Sequence, residues 1–293
     1  MKKKKILYLM AFAYLALIAT SCNGLDGDNS DFNFNNRTED TVDPYKDGYG
    51  RLPNSIRLGT YNVHRCEGPG TQDPNIDRAT YEKTAEVIAR MDPDVYALQE
   101  IDYNTTWHPV NQLAKLATLV GGMYYTEGPA IDYKGGKYGN GILSKIAPTA
   151  TDNFILPNPK ATEQRACAVA EFPNLIFLAT HFCHKEADNR TAQAKAINDY
   201  VESKYASETR LIFLAGDLNE SSVTSDMMTE LLKKWKIIST SSFTTGSKRI
   251  DYVLVYTGNA ATYEVIGTTV PNWGDLNIST VSDHNPVIVD IKK

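Results

Sequence analysis

Short apolar segments that begin or end in polar, chemically reactive residues recur along this chain and constrain its fold most strongly. The plainest example is LIFL at Leu211–Leu214, which runs directly into AGDLNE at Ala215–Glu220. A strand here presents Asp217 and Asn219, spaced two apart, on one side of the point where its hydrogen-bonded ladder stops. A carboxylate and an amide in that place suit the activation of water or the binding of a metal ion. The same residue types are also common in β-turns, so this stretch alone leaves both interpretations open.

Five further segments share this character, each apolar and each bounded by Asn, Glu, His or Asp. They are Ile56–His64, Val95–Glu100, Leu175–Thr180, Ile250–Val255 and Pro286–Ile291. Turns supply Gly, Pro and Asn freely, but they do not explain Glu100, His181 and His284 at such junctions. In α/β sheets, ligands collect at strand ends. We therefore expect these polar groups to meet in one pocket.

Between the strands lie patterns typical of amphipathic helices. The sequence predicts helices over Asp77–Arg90, Val110–Val120, Asn189–Tyr205 and Ser222–Trp235. It also predicts strands at Met123–Thr126 and Tyr138–Ser144, and a hairpin whose first strand is Cys167–Glu171. No repeat or second linker interrupts this order, so residues 53–293 are predicted to form one α/β domain.

The N-terminus is of a different kind. Residues 1–22 combine the basic start MKKKK, an apolar stretch at Ile6–Ala19 and then Cys22, which is typical of an export signal and too short for a membrane-spanning helix. Cys22 follows small residues, as in a bacterial lipobox, and a plain cleaved signal is the alternative. Residues 23–52 are rich in Asp, Asn and Gly and predict a flexible acidic tether. We expect a monomer exported to the cell envelope and held at a membrane by lipid on Cys22.

The charge of the chain argues against partners that bind through basic surfaces. The full chain carries −5, and removing the four lysines of the signal leaves −9. The tether contributes seven acidic and three basic residues, so the domain still carries about −5. Counterion release from nucleic acid is therefore a poor source of affinity. Three cysteines remain, which do not form a disulfide framework or a zinc pattern; a Cys66–Cys183 bridge is possible but unsupported.

The strand-end residues suggest a hydrolytic site for a phosphate oxyanion. Glu100 is a hard carboxylate of the kind that binds Mg²⁺. His181 and His284 are candidate partners of the phosphate, and Asp283, next in sequence to His284, is expected to orient that ring. Asp217 would be the base that activates water. There is neither a G-x-S-x-G elbow nor a Walker loop.

Seven motifs in order resemble the endonuclease/exonuclease/phosphatase superfamily, which includes DNase I, abasic-site endonucleases, neutral sphingomyelinases and inositol-polyphosphate 5-phosphatases. They are TYNVH (60–64), LQE (98–100), YGNGILS (138–144), ATHF (179–182), GDLNE (216–220), RIDYVL (249–254) and SDHNPV (282–287). The resemblance spans essentially the whole domain. It implies a four-layer α/β sandwich that hydrolyses phosphoester bonds with Mg²⁺ or Mn²⁺.

The resemblance also implies roles for individual residues. Glu100 would ligate the metal, with Asn62 beside it and Asp251 as a further acidic residue at the site. Asp217 would orient or deprotonate water, and Asn219 would help to hold the phosphate. His181 would contact the phosphate, His284 paired with Asp283 would stabilise the developing charge, and Asn140 would line the substrate pocket.

Several residues stay open at this level. Arg165 would either clamp a phosphate or form a surface salt bridge. His64 would either reach the pocket or only form a structural hydrogen bond. His108 and His184 are expected on the surface. Tyr138 would either stack on the substrate or serve in ordinary packing.

The substrate is likewise open. A small phosphodiester or a phospholipid head group is favoured over duplex DNA, because the domain is acidic. An endonuclease remains the alternative within the enzyme class. A phospholigand-binding protein without catalytic activity is the alternative from another class.

Overall fold

The computed structural model describes residues 52–69 and 80–292. The predicted signal peptide, Cys22 and all of the tether before Leu52 lie outside these residues. In the described part of the chain, no helix is both long and apolar enough to cross a lipid bilayer.

Two six-stranded mixed sheets form the centre of the domain. The first contains β1 (Ile56–Asn62), β2 (Val95–Tyr103), β3 (Tyr124–Tyr133), β4 (Gly136–Ser144), β11 (Glu264–Thr269) and β12 (Val287–Lys292), in the order β11-β12-β1-β2-β4-β3. The second contains β5 (Ala150–Ile155), β6 (Ala166–Glu171), β7 (Leu175–His181), β8 (Leu211–Asp217), β9 (Trp235–Ile237) and β10 (Asp251–Tyr256), in the order β5-β6-β7-β8-β10-β9. β1 and β2 run parallel, as do β7 and β8.

Helices cover the two outer faces. The α-helices are α1 (Tyr81–Met91), α2 (Gln112–Leu119), α3 (Ala187–Lys204) and α4 (Asp226–Leu231), and 3₁₀ turns occupy His64–Cys66 and Ile278–Thr280. The side chains of α1 and α2 pack on the outer face of the first sheet. Those of α3 and α4 pack on the outer face of the second. The predicted four-layer α/β sandwich is therefore confirmed.

The central core lies between the sheets, and the pleat of the strands determines which residues form it. Successive side chains of a strand point to opposite faces, so alternate positions such as Leu58, Val289, Phe213 and Val253 meet in one buried apolar cluster. The remaining positions of the same strands pack under the helices. Both faces of each central strand are buried, which is why these segments read as continuous apolar runs.

Several predicted elements change in extent. The helix predicted at Ser222–Trp235 is wrong in length: only Asp226–Leu231 is helical, capped by the Ser225 hydroxyl, and Trp235 begins β9. β3 runs on to Tyr133 instead of ending at Thr126. The sequence prediction missed β5, β9 and β11, which lie at the edges of the sheets. The helix predicted to begin at Asp77 begins at Tyr81 in the structure, and residues 77–79 lie outside the described residues.

One open point about the cysteines is settled and one expectation about a histidine is corrected. Cys66 and Cys183 are both free and buried, and they lie in different parts of the molecule: Cys66 packs in the α1 layer, while the Cys183 thiol contacts the Thr162 hydroxyl. His108 is not a surface residue. Its ring is buried between the Glu67 carboxylate and the Tyr81 hydroxyl, 2.8 and 3.1 Å away.

Gly216 is required by the close approach of β7 to β8. A Cβ atom at this position would lie 1.9 Å from the carbonyl oxygen of Thr180, its neighbour in the parallel register. No side chain fits there unless the two strands move apart.

We expect Gly216→Ala to lower the free energy of unfolding by about 1–3 kcal/mol, the usual effect of forcing atoms into a filled space. Gly274→Ala is the matched control, because the Cβ at Gly274 meets no atom within 4 Å. Urea unfolding of the two variants checks this, and equal stabilities would contradict the close-approach argument.

Candidate active site

The site lies where the apolar cluster between the sheets ends. In β8, Phe213 and Ala215 point into that cluster, and Asp217 is the next residue with the same orientation. In β1, Asn62 points to the same side as the core residue Leu58, and in β7, His181 points to the same side as Ala179. The strand ends from both sheets therefore direct their last side chains into one space, as the sequence predicted.

Asp217 is the centre of this space. Its side chain is 2% exposed, and its Oδ1 accepts the backbone N–H of Asn219 at 2.8 Å. Its Oδ2 accepts the amide of Asn62, from the other sheet, at 3.2 Å. The Nε2 atoms of His181 and His284 lie 3.5 and 3.8 Å from the same oxygen. Burial, followed by the charge of Asp251, raises the pKa of Asp217 to about 7, against the opposing effect of His284.

His284 is oriented by Asp251 and not by Asp283. The ring donates from Nδ1 to Asp251 Oδ2 at 2.9 Å, and the antiparallel register places Asp251 directly opposite Asp217. The side chain of Asp283 is exposed, and its backbone carbonyl accepts the Thr245 hydroxyl. The predicted Asp283–His284 pair is therefore wrong. Burial lowers the pKa of His284, but the Asp251 carboxylate, together with Asp217 and Asp283, outweighs it and raises the pKa to about 10, so the ring is charged.

The ring of His181, unlike that of His284, is held neutral. An Arg165 guanidinium N–H lies 3.4 Å from His181 Nδ1. Because Arg only donates, Nδ1 must accept, which leaves the ring proton on Nε2, towards Asp217. Burial, followed by the charges of Arg165 and His284, holds the pKa of His181 well below its usual value.

Arg165 is buried beside the site and is not a surface residue. It is 4% exposed and contacts Glu163 Oε1 at 2.7 Å, and it also lies 3.1 Å from Nδ1 of the exposed His184. Its Nε atom has no hydrogen-bond partner within residues 52–69 and 80–292. Arg165 therefore forms a salt bridge with the exposed Glu163 from a buried position, and the phosphate-clamp interpretation remains a prediction.

The other two predicted substrate ligands are more constrained than expected. Asn219 lies beyond the strand with φ of 50°, and its amide donates to the Phe182 carbonyl at 3.0 Å. Asn140 is buried between the sheets, where its amide donates to the Ala166 carbonyl at 3.0 Å. Asn140 Oδ1 has no partner in the described part of the chain. Within the described residues, Oδ1 and the second amide N–H of each therefore remain for a ligand.

Glu100 reaches the site because β2 is irregular there. It has φ of 61°, and the pairing of β2 with β4 shifts register between Gln99 and Ile101. A bulge of this type redirects one side chain, and Glu100 is the one residue of β2 that is not fully buried.

Asn62 joins Glu100 to Asp217. Its amide nitrogen donates to Glu100 Oε1 at 2.9 Å and to Asp217, while its Oδ1 accepts the backbone N–H of His64 at 3.1 Å. Asn62 thereby positions the two carboxylates, and its role as a metal ligand stays a prediction, because its oxygen keeps a second lone pair. The His64 ring itself bonds to the Gly68 carbonyl, which is the structural interpretation of that residue.

The donor set fits a divalent cation. The second carboxylate oxygen of Glu100 has no hydrogen bond to any described residue, and hard oxygens of this kind suit Mg²⁺ or Mn²⁺. Asp217, Asp251 and His284 form a second candidate, since one ligand atom of each lies within 4.8 Å of the others. There, His284 Nδ1 and Asp251 Oδ2 bond to each other at 2.9 Å, and a metal would have to compete with that bond. Glu100 and Asp251 both stay predicted metal ligands.

Ser282 is a site residue that the sequence analysis missed. Its hydroxyl donates to the Asn62 carbonyl at 2.7 Å and accepts the backbone N–H of His284 at 3.1 Å. It thus fixes the His284 segment to the end of β1. Its place in the SDHNPV motif was the available signal.

Comparison with known proteins identifies the family. The sequence profile of the Endonuclease/Exonuclease/phosphatase family matches residues 59–284. No curated protein sequence matches the chain significantly.

Solved structures share the fold. An endonuclease/exonuclease/phosphatase from Beutenbergia cavernae has a TM-score of 0.62 at 20% identity, covering 81% of this chain and 71% of its own. A mannosyl-6-phosphatase from Bacteroides thetaiotaomicron has 0.63 at 17%, covering 82% and 100%. Truncated TDP2 from Caenorhabditis elegans has 0.58 at 16%, covering 82% and 98%. Since the family profile spans more than half of the chain, the protein belongs to the endonuclease/exonuclease/phosphatase family, whose members hydrolyse phosphoesters.

Proposed function

We propose that the protein is a metal-dependent phosphoric ester hydrolase in which Asp217 activates the attacking water. One observation carries this proposal. Two ring nitrogens, on His181 and His284, converge on Asp217 Oδ2 at 3.5 and 3.8 Å, beyond normal hydrogen-bond length. Their N–H groups are therefore available to an anion placed beside the Asp217 carboxylate.

The residues divide the work in hydrolysis. Asp217 holds a water and accepts its proton as the water oxygen attacks phosphorus, and the bond to the leaving alkoxide breaks on the opposite side. His284, charged through Asp251, and His181, donating from Nε2, stabilise the negative charge on the phosphoryl oxygens. Asn62 keeps Glu100 and Asp217 in fixed relation. A divalent cation held by Glu100 would supply further charge neutralisation at the phosphate.

A small phosphoester fits the charge of the domain better than duplex nucleic acid does. The domain carries about −5, which opposes broad contact with a polyanion. Among the described residues, His284 lies 3.8 Å from Asp217 and Arg165 lies beside His181, which is enough positive charge for one phosphate and too little for a long backbone. Phospholipid head groups satisfy the same limit, and an endonuclease remains the second candidate.

We expect removal of divalent cations to abolish hydrolysis. Purified protein without residues 1–22 is assayed on a hexose 6-phosphate, glycerophosphocholine, sphingomyelin, an inositol phosphate, a bis-aryl phosphate and plasmid DNA. EDTA should reduce turnover to background, and Mg²⁺ or Mn²⁺ should restore it. Undiminished turnover in EDTA would contradict metal dependence. Preferred cleavage of plasmid DNA would establish the endonuclease instead.

Three carboxylate-to-amide substitutions test the assigned roles. We expect Asp217→Asn to lower kcat about 100-fold or more, because the general base is lost. Asp251→Asn should lower it roughly 10- to 100-fold, because His284 loses the partner that orients it. Asp283→Asn, on an exposed side chain next in sequence to His284, should leave kcat within about twofold of the original protein. A larger loss in Asp283→Asn than in Asp251→Asn would reverse the assignment drawn from the structure.

We also propose that the protein is exported and tethered to a membrane of the cell envelope through lipid on Cys22. The basic start, the short apolar stretch and the small residues before Cys22 support this. Cys22→Ala should move the protein from the membrane fraction to the soluble fraction and abolish labelling by radioactive palmitate. A membrane-bound, unlabelled wild-type protein would contradict lipidation.

A further inference from the structure

Three aromatic residues form a wall at the mouth of the site. Trp107 lies in the segment between β2 and α2, and Tyr133 and Tyr138 lie at the end of the β3–β4 hairpin. The ring centroids are 5.9 Å apart for Trp107 and Tyr133, and 5.8 Å apart for Tyr133 and Tyr138. All three side chains are half-buried. We call these three residues the aromatic wall.

The aromatic wall begins beside the catalytic groups. In β4, Ile142 points into the core between the sheets. Asn140 and Tyr138 have the same orientation along the strand, so Tyr138 follows Asn140 towards the open end of the site. Burial raises the pKa of the Tyr138 hydroxyl, and the charge of Glu100 raises it further, while that of Arg165 opposes this. Tyr133 and Trp107 continue the wall away from these groups.

The wall is rigid because a buried cation supports it. The Arg65 guanidinium lies 4.6 Å from the centre of the Trp107 ring and 5.5 Å from that of Tyr133. Arg65 is 4% exposed and is held by Asp102 at 3.0 Å. The backbone N–H of Thr106 also donates to the Lys134 carbonyl, which ties the Trp107 segment to the hairpin. Rigid aromatic side chains lose little entropy when they bind a ligand.

The hairpin turn beside the wall is charged. Tyr133 lies on an open surface depression formed by residues 132–137, together with charged residues such as Lys134 and Lys137. The charged rim does not suit an apolar lipid chain, whereas a polar ring offers both a stacking face and hydrogen-bonding edges.

We propose that the aromatic wall binds the organic group of the substrate, and that this group carries a ring, either a sugar or a nucleoside. With the phosphate at Asp217 and His284, the esterified group extends to Tyr138 and stacks on Tyr138 and Tyr133. The Trp107 ring already has Arg65 and Lys134 at 4.6 and 4.8 Å from its centre. This inference rests on the proposed function and deepens it, because it assigns ring-bearing phosphoesters as the substrate class. Stacking on aromatic side chains tolerates many ring types, so the two ring sources are separated by experiment.

The test measures selectivity between ring-bearing and ring-free phosphoesters. Among monoesters, kcat/KM for a hexose 6-phosphate and for a nucleoside 5′-monophosphate is divided by that for glycerol 3-phosphate. Among diesters, a dinucleoside monophosphate is compared with glycerophosphoethanolamine. We expect Tyr133→Leu and Tyr138→Leu each to reduce this ratio about tenfold, as loss of one stacked ring predicts. Tyr133→Phe and Tyr138→Phe keep the ring and should keep the ratio.

Tyr125→Leu is the matched control, because Tyr125 is an exposed aromatic residue of the same strand at its other end. Its ratio should equal that of the wild type. An unchanged ratio in both Tyr133→Leu and Tyr138→Leu would overturn the proposal, as would an equal loss on ring-bearing and ring-free esters. The larger fall, on the sugar or on the nucleoside ester, identifies the ring.

Failure of the proposed function gives a different result. In that case the wild type hydrolyses none of these esters. Calorimetric binding of the hexose phosphate and the nucleoside monophosphate then tests the wall directly. Weaker binding in Tyr133→Leu, with retention in Tyr125→Leu, supports the wall without catalysis, and equal or absent binding in all variants overturns it.

Discussion

The arrangement of the site depends on the hydrogen bonds that compensate the buried carboxylate of Asp217. Burying an ionised group is unfavourable unless partners compensate. Asp217 obtains them from both sheets: the Asn219 backbone follows its own strand, and the Asn62 amide comes from β1 across the interface. Asn62 also bonds to Glu100. Any relative movement of the two sheets would therefore separate the candidate base from the candidate metal ligand.

The apolar interface below the site makes that movement difficult. Side chains such as Leu58, Phe213 and Val253 fill the space between the sheets without exposure to solvent, and interiors of this kind are densely packed and resist deformation. At the opposite end of β1, the buried Arg57 guanidinium binds Asp290 of β12 through two contacts of 2.7 and 2.8 Å. At the candidate site, buried polar atoms without a partner in the described part of the chain include Asp251 Oδ1, Asn140 Oδ1 and Arg165 Nε.

How far the sequence predicted this site follows from which interactions are local. Apolar runs and strand ends are local features, and they correctly brought Asp217, His181 and His284 into one space. The partner of His284 depends on register: Asp251 faces Asp217 across β8 and β10, whereas sequence adjacency suggested Asp283. Edge strands such as β5 and β11 were missed because their exposed, polar residues lack a continuous apolar pattern. The burial of His108 depends on Glu67 and Tyr81, whose proximity only the tertiary structure shows.

The residues proposed for catalysis and those proposed to bind the organic group lie on different elements of this fold. Asp217, Asp251 and Asn62 lie on central strands whose positions are fixed by pairing on both sides. The aromatic wall lies on an edge hairpin and on the segment before α2, so its sequence and length can vary without disturbing the sheets. The support from Arg65 shows how such a peripheral element still becomes rigid: one buried cation, paired with Asp102, contacts the rings of both Trp107 and Tyr133. A substitution at Arg65 would therefore loosen the wall while leaving the hydrogen bonds around Asp217 in place.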